Sequence, residues 1–290
     1  MSSRLVTQLP PLPPRPDVSH KGTFGHVLIV AGSRGMSGAA CLAGGAALRG
    51  GAGLTTVAIP QEIASIVAGF EPSYLTLGLP QTDCGQFAVE AGAQILELAG
   101  RVTTVACGPG WGTSPGLVEL ARLLHASVRQ PLVVDADGLN ALAALPGGCP
   151  AAPPGMPRVF TPHPGEFARL LKIDTRVVQE NRETLAVEFA RRLGGVILLK
   201  GRGTVITDGE RVAMNSTGNS GMATGGTGDV LTGLIAALLA QDMPPFEAAQ
   251  LGAHLHGLAG DLAAAELSRH SLIASDLLRY LPHAWKQLDG

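Results

Sequence analysis

Asn219-Ser-Gly-Met-Ala-Thr-Gly-Gly-Thr-Gly-Asp229-Val-Leu-Thr-Gly-Leu234 leads from small, flexible residues straight into an apolar helix, with a single carboxylate at the junction. Backbone N–H groups at a helix N-terminus have no intrahelical acceptor and attract anions. Gly225, Gly226 and Gly228 leave that backbone open to close approach by a ligand. A carboxylate is a poor neighbour for a phosphate, since both are negative. Asp229 therefore suggests a base that must touch a hydroxyl beside a phosphoryl group. The simpler alternative is a glycine-rich turn with Asp229 as its N-cap.

Outward from this stretch, short β-rich runs alternate with Ala/Leu-rich helical ones. Strands are expected at 26–31, 54–59, 74–77, 102–107, 132–135, 158–161, 196–200, 204–207 and 211–215. Helices are expected at 37–49, 87–98, 115–128, 164–171, 177–193, 228–240 and 245–267. Runs such as Val27-Leu-Ile-Val30 are continuously apolar, as strands covered on both faces are. The alternation predicts a three-layer α/β/α fold with a mostly parallel central sheet. The last three strands have short links, so they are expected to form an antiparallel edge, because parallel neighbours need long crossovers. The Pro/Gly/Ala-rich segment 146–157 reads as a surface loop inside one domain spanning 21–290, and no repeat of 20–50 residues is present.

Composition narrows the function. A chain of 290 residues with 46% hydrophobic and 15% charged residues builds a large core. Its net charge of -2 offers no footprint for nucleic acid or an anionic membrane. Cys41, Cys84, Cys107 and Cys149 lack zinc spacing or a disulfide framework, which reads as reduced thiols in a cytoplasmic protein. Residues 1–20 form a Pro-rich lead-in without a signal-peptide layout. Its Leu9-Pro-Pro-Leu-Pro-Pro-Arg-Pro16 is either a stiff approach to the first strand or a polyproline II ligand. No apolar run approaches the roughly 20 residues that span a bilayer.

Ligands of open α/β sheets bind beyond the carboxyl ends of the strands, where the unusual residues of this chain fall. The first long strand runs into Ala31-Gly-Ser-Arg-Gly-Met-Ser-Gly-Ala39-Ala40, spaced neither as a dinucleotide fingerprint nor as a P-loop, so packing alone could explain its glycines. Cys107-Gly-Pro-Gly110-Trp-Gly112 could expose backbone to a ring or sugar, or be a plain turn. Asp135-Ala-Asp137-Gly-Leu-Asn140 could hold a hydrated metal near phosphates, or Asp137 could cap a helix. Prolines on both sides of His163 in Thr161-Pro-His163-Pro-Gly-Glu166 aim its ring. Lys200-Gly-Arg-Gly-Thr204 is either an anion-contacting turn or a solvated hairpin. Five loops, each weak alone, converge on one phosphate-accepting crevice.

With these strings assembled, the chain resembles the ADP/ATP-dependent NAD(P)H-hydrate dehydratases of the ribokinase-like superfamily. Lys21-Gly-Thr-Phe-Gly-His-Val-Leu-Ile-Val-Ala-Gly-Ser33, Cys107-Gly-Pro-Gly110, Val134-Asp-Ala-Asp-Gly-Leu-Asn140 and Thr161-Pro-His-Pro-Gly-Glu166 carry the resemblance. Lys200-Gly-Arg-Gly-Thr204, Gly225-Gly-Thr-Gly-Asp229-Val-Leu and His256-Gly-Leu-Ala-Gly-Asp261 extend it over residues 21–282. The resemblance implies a ribokinase-like fold in which Ala40, Gly110, His163 and Asp229 contact the hydrated nicotinamide nucleotide, with Ala39 an equal fit to the string at Ala40. It implies that Lys200, Gly201, Arg202, Gly203, Thr204 and Gly228 contact the adenine nucleotide. Many such dehydratases follow an epimerase domain; here that domain is expected from another protein. A homo-oligomer, often a tetramer, is implied as well.

The expected reaction is dehydration of hydrated NADH or NADPH in nicotinamide nucleotide repair, releasing AMP and phosphate. Asp229 would accept the C6 hydroxyl proton as that oxygen attacks the terminal phosphoryl of ADP. Gly226, Thr227 and Gly228 would form the anion hole, with Mg²⁺ bridging nucleotide oxygens. ADP is expected over ATP from the bacterial character of the chain, not from a residue, and no metal ligand is assigned. The rival is a ribokinase-like kinase of a vitamin alcohol, of hydroxyethylthiazole or hydroxymethylpyrimidine type. A non-catalytic nucleotide-binding sensor is the reading outside the enzymes.

Overall fold

A computed structural model describes residues 3–289. The strands are β1 (Arg4–Leu5), β2 (His26–Val30), β3 (Leu54–Pro60), β4 (Leu75–Leu79), β5 (Thr104–Cys107), β6 (Leu132–Val134), β7 (Arg158–Phe160), β8 (Val196–Leu199), β9 (Thr204–Thr207) and β10 (Arg211–Asn215). They form one sheet in the order β1-β10-β9-β8-β7-β6-β5-β2-β3-β4. From β4 across to β8 every pairing is parallel; β9 is antiparallel to both β8 and β10. The antiparallel edge thus lies where the short links between strands place it.

Period-two alternation divides the strands between two cores. Val27 and Ile29 point into one, Leu28 and Val30 into the other, all fully buried. The first core lies under helices α1 (Ser37–Arg49) and α2 (Ala64–Ala68), and the second under α3 (Ala91–Ala99), α4 (Pro115–Ser127), α5 (Ala136–Ala143), α6 (Pro164–Leu171), α7 (Thr175–Glu180) and α8 (Arg182–Leu193). Helices α9 (Thr227–Ala240), α10 (Pro245–Leu267) and α11 (Ala274–Leu288) complete the first. The result is a three-layer α/β/α sandwich.

Helix α9 matters most for the site. Every residue from Val230 to Ala240 is buried, so the helix is held on all sides. Gly233 brings it against α1: a Cβ there would stand 2.0 Å from the Ala43 carbonyl oxygen. This close seating fixes the α9 N-terminus at the carboxyl end of the sheet.

The structure differs from the sequence expectation at several places. Strand β1 pairs in parallel with β10 and closes the sheet edge. The Pro-rich segment after it lies along the body: Gln250 donates to the Gln8 carbonyl at 2.8 Å, and the Arg15 guanidinium sits 4.0 Å from the Phe24 ring centre. With these anchors it is a strap, which removes the reason to read it as a polyproline ligand. The expected helix 177–193 breaks at Asn181 into α7 and α8, the helix offered as an alternative after Asp137 forms as α5 with Asp135 rather than Asp137 as N-cap, and α2 and α11 are not among the expected helices. Among the described residues no helix is long and apolar enough to cross a membrane.

Candidate active site

The loops leaving β2, β5, β6, β7 and β8 meet the α9 N-terminus at one end of the sheet, and hydrogen bonds lock them together. Gly32 N–H donates to the Pro109 carbonyl at 2.8 Å, and the Ser33 hydroxyl to the Gly110 carbonyl at 2.8 Å. Gly108 has φ 113° and no room for a Cβ, which would lie 2.0 Å from the Asp135 carbonyl oxygen. The Gly112 amide donates to Asp137 Oδ2 at 2.8 Å. Gly110 therefore sits in a braced turn. Ala40 does not reach the cleft: it has no exposed surface and packs into the core from α1. Ala39 is the partly exposed neighbour, and a Cβ on Gly110 would meet its methyl group at 2.8 Å.

The charges below the cleft are organised around Lys200. Its Nζ donates to Asp135 Oδ1 at 2.8 Å and lies 3.9 Å from Glu166 Oε2. Asp135 is 1% exposed, and its second oxygen accepts the Thr232 hydroxyl at 2.8 Å. Burial disfavours the Lys200 ammonium, but Asp135, Glu166 and Asp229 outweigh it and hold the pKa above the usual lysine value. Both oxygens of Asp135 are spent on protein partners, so it serves as a counter-ion more readily than as a metal ligand.

His163 is the N-cap of α6. Its Nδ1 accepts the Gly165 and Glu166 amides at 3.0 and 3.3 Å, and Glu166 returns the bond by accepting His163 N–H at 2.8 Å. A ring whose Nδ1 accepts two amides is neutral with its proton on Nε2. Burial and the nearby Lys200 and Arg169 charges lower its pKa, which favours the same form. His163 Nε2 carries the donor proton and lies 3.3 Å from Glu166 Oε1, so a substrate would share or replace that partner, and the ring is poorly placed to accept a proton. Glu166 is buried beside it, and burial together with Asp135 raises its pKa despite Lys200.

Gly226, in the left-handed region at φ 92°, is the N-cap of α9; Asp229 stands three positions further on and caps nothing. The simple capping explanation of Asp229 therefore fails. Burial, followed by the field of Asp135, pushes its pKa up to about 7 in spite of Lys200. The Thr227 and Gly228 amides are among those a helix start leaves unpaired. A Cβ on Gly228 would lie 3.1 Å from Lys200 Nζ, so the ammonium flanks these amides.

Beside the helix start opens a cavity of about 730 Å³ bordered by Lys200, Gly201, Arg202, Gly203, Thr204 and Gly228, all six expected at the adenine nucleotide. Asp229, His163 and Gly110 are absent from its lining. The cavity thus gathers the six residues expected at the adenine nucleotide and none of those expected only at the nicotinamide nucleotide. His256, in the motif His256-Gly-Leu-Ala-Gly-Asp261, supports the helix start: its Nε2 donates to the Thr227 carbonyl at 2.8 Å, and burial lowers its pKa to about 4. Asp261, in the same motif, accepts from the Gly218 amide at 2.8 Å and the Asn219 side chain at 2.9 Å.

Among the described residues no group of three or more His, Cys, Asp or Glu side chains has metal-holding geometry. Asp137 and Asp229 are close enough to feel each other's charge, and a pair of carboxylates suits Mg²⁺, which retains waters and takes one or two carboxylates plus substrate phosphates. Asp137 and Asp229 are the carboxylates that would touch such an ion or its waters.

The fold and the cavity at the α9 N-terminus define a ribokinase-like nucleotide-binding protein. More narrowly, residues 27–283 match the family described as NAD(P)H-hydrate dehydratase, and the chain belongs to that family. It is 45% identical over 284 residues to the bifunctional NAD(P)H-hydrate repair enzyme Nnr of Moorella thermoacetica, covering 96% of this chain and 52% of that protein. The chain spans about half the length of the curated relatives it matches. The ADP/ATP-dependent NAD(P)H-hydrate dehydratase from Bacillus subtilis, co-crystallised with ATP/Mg²⁺, superposes with a TM-score of 0.81 at 33% identity, covering 96% of this chain and 94% of that one. Hydroxyethylthiazole kinase from Pyrococcus horikoshii shares the fold alone, with a TM-score of 0.58 at 16% identity over 91% of this chain and 89% of that one.

Proposed function

We propose that the chain dehydrates the C6-hydroxylated forms of NADH and NADPH to NADH and NADPH, with ADP as phosphoryl donor and AMP and phosphate as products. The observation that carries the mechanism is the carboxylate of Asp229, uncapped, with a pKa near 7, beside the free amides of Thr227 and Gly228. Hydroxide is a poor leaving group and a phosphate ester a good one. Asp229 takes the proton of the C6 hydroxyl as its oxygen attacks the terminal phosphorus of ADP, and the bond from that phosphorus to the bridging oxygen breaks. Phosphate then leaves C6 with the bonding electron pair, assisted by the ring nitrogen, and loss of the C5 proton restores the C5–C6 double bond. The amides of Gly226, Thr227 and Gly228, flanked by Lys200, hold the transferring phosphoryl oxygens. Mg²⁺, when bound, neutralises phosphate charge.

In this reading the nicotinamide ring lies against Gly110, with Ala39 rather than the buried Ala40 beside it, and His163 Nε2–H orients the substrate. The adenine nucleotide occupies the cavity along the turn 200–204 and Gly228. A separate epimerase supplying the reactive epimer and assembly into a homo-oligomer belong to the same reading; light scattering and assays on epimer mixtures test them. The central experiment supplies hydrated NADH, Mg²⁺ and either ADP or ATP, and follows return of reduced-nicotinamide absorbance. Recovery with release of free phosphate supports the dehydratase. No recovery with either nucleotide overturns it, and a stable phosphate ester of a vitamin alcohol would instead favour a kinase.

A further inference from the structure

We propose that Arg182 is a positioning residue of the nucleotide subsite, holding the turn 200–204 in shape and placing an unneutralised cation beneath it. The proposal deepens the functional reading above and rests on it.

The break between α7 and α8 at Asn181 makes Arg182 the first residue of α8. From there its guanidinium reaches the turn after β8. Nη2 donates to the Leu199 carbonyl at 2.9 Å and to the Lys200 carbonyl at 3.2 Å, with Gly203 O at 3.5 Å. Nη1 donates to the Lys200 carbonyl at 3.2 Å and to Gln179 Oε1 at 3.3 Å. A Cβ on Gly201 would stand 3.0 Å from Nη1, so the turn is seated on the guanidinium. The planar trans peptide directs its N–H opposite to its C=O. By drawing the Lys200 oxygen inward, Arg182 turns the Gly201 N–H away from itself, and Gly201 borders the cavity.

The charge matters as much as the shape. Arg182 is half-buried, and every acceptor given above is uncharged. Lys200, by contrast, is paired with Asp135. Arg202 in the turn borders the cavity directly, and Arg182 adds positive charge beneath the backbone that an incoming polyphosphate would meet. The Thr204 hydroxyl braces the turn from within, donating to the Gly201 carbonyl at 2.9 Å, and Arg182 adds the donors for the Leu199 and Lys200 carbonyls from outside it.

The test measures ADP affinity by calorimetry on the free protein with Mg²⁺ and no nicotinamide substrate, alongside steady-state rates. Arg182→Ala is expected to weaken ADP by about tenfold or more. KM for hydrated NADH and kcat at saturating ADP should stay within about threefold, since neither contacts Arg182. Arg182→Lys keeps charge without the fork and should be intermediate; added guanidinium should restore part of the Arg182→Ala affinity. Unchanged ADP affinity in Arg182→Ala overturns the proposal. So does a loss shared equally by kcat and both KM values, or one that guanidinium does not relieve, since either marks general loosening. A wild-type chain that binds ADP but never restores hydrated NADH overturns the functional reading and leaves this comparison intact.

Discussion

Lys200 Nζ donates to Asp135 Oδ1 at 2.8 Å, joining the end of β8 to the end of β6 beneath the α9 N-terminus. One end of this pair is 1% exposed and the other 20%, so the ammonium alone looks out toward the cavity. Removing it leaves a buried carboxylate with only the Thr232 hydroxyl for company. Lys200→Met should cost about 3 kcal/mol in urea unfolding, with Asp135→Asn in the same chain recovering much of it. The pH sign follows from the raised pKa. The lysine's contribution is complete below the unfolded value of 10.5 and is lost as pH rises through the higher folded value. A wild-type melting temperature that falls in this alkaline range no faster than that of Lys200→Met would contradict the assignment.

Asp229 should show its raised pKa in two independent measurements. As a base it must be ionised, so kcat/KM should climb with pH and level off above about 7. Its folded pKa exceeds the unfolded 3.8, so the folded chain binds the proton more tightly and stability falls as pH rises from about 4 to about 7. Asp229→Asn should therefore melt higher than wild type at pH 8 and converge with it near pH 4. The same variant should bind ADP and lose ~10²–10⁴-fold in turnover. Retention of most activity would remove Asp229 as the base.

The strands were legible because buried parallel strands are continuously apolar and β-branched, as Val27-Leu-Ile-Val30 is, whereas the apolar run of α9, Leu234-Ile-Ala-Ala-Leu-Leu-Ala240, is longer and alanine-rich. Strand β1 was not, since two residues pairing with β10 are decided by tertiary contact alone. Helix α5 stayed one of two readings, because the acidic residues at its start suit a metal as well as a helix cap, and Ala136 enters it at φ 50°. The break at Asn181 left no proline or glycine to announce it. In the site, Asp229 and the turn 200–204 stood out by residue type. The partnerships of Asp135 with Thr232 and of His256 with the Thr227 carbonyl cross 97 and 29 residues, and no local pattern encodes them.

His163 separates capping from substrate orientation. Asn caps helices as well as any residue, so His163→Asn should keep wild-type stability, whereas His163→Ala should lose about 1 kcal/mol. Neither variant offers the Nε2–H donor, and both should raise KM for hydrated NADH with ADP affinity unchanged. Wild-type kinetics in His163→Asn would confine the histidine to its cap.

Chelation should discriminate a protein-held metal from one carried by the nucleotide. With no metal-holding cluster among the described residues, EDTA should leave the melting temperature of the free protein unchanged. The stabilisation conferred by ADP should shrink under the same treatment. A nucleotide-free protein that melts lower in EDTA would require a resident ion.

Gly226 and Gly228 should part company on substitution, and the difference locates the phosphate. Gly226 has φ 92°, and a Cβ there would meet Leu42 Cδ1 at 2.6 Å and the Ala274 methyl at 3.0 Å. Gly226→Ala should therefore destabilise by about 1–3 kcal/mol through strain alone. Gly228 lies within the first turn of α9 at negative φ, where alanine is the better helix former by up to about 1 kcal/mol. Its Cβ would stand 3.1 Å from Lys200 Nζ, in the space between the ammonium and the free amides. Gly228→Ala should thus melt no lower than wild type while binding ADP about tenfold more weakly. Stability intact and affinity lost would place the transferring phosphoryl group at the α9 N-terminus, whereas unchanged ADP affinity would mean that the phosphates lie elsewhere in the cavity.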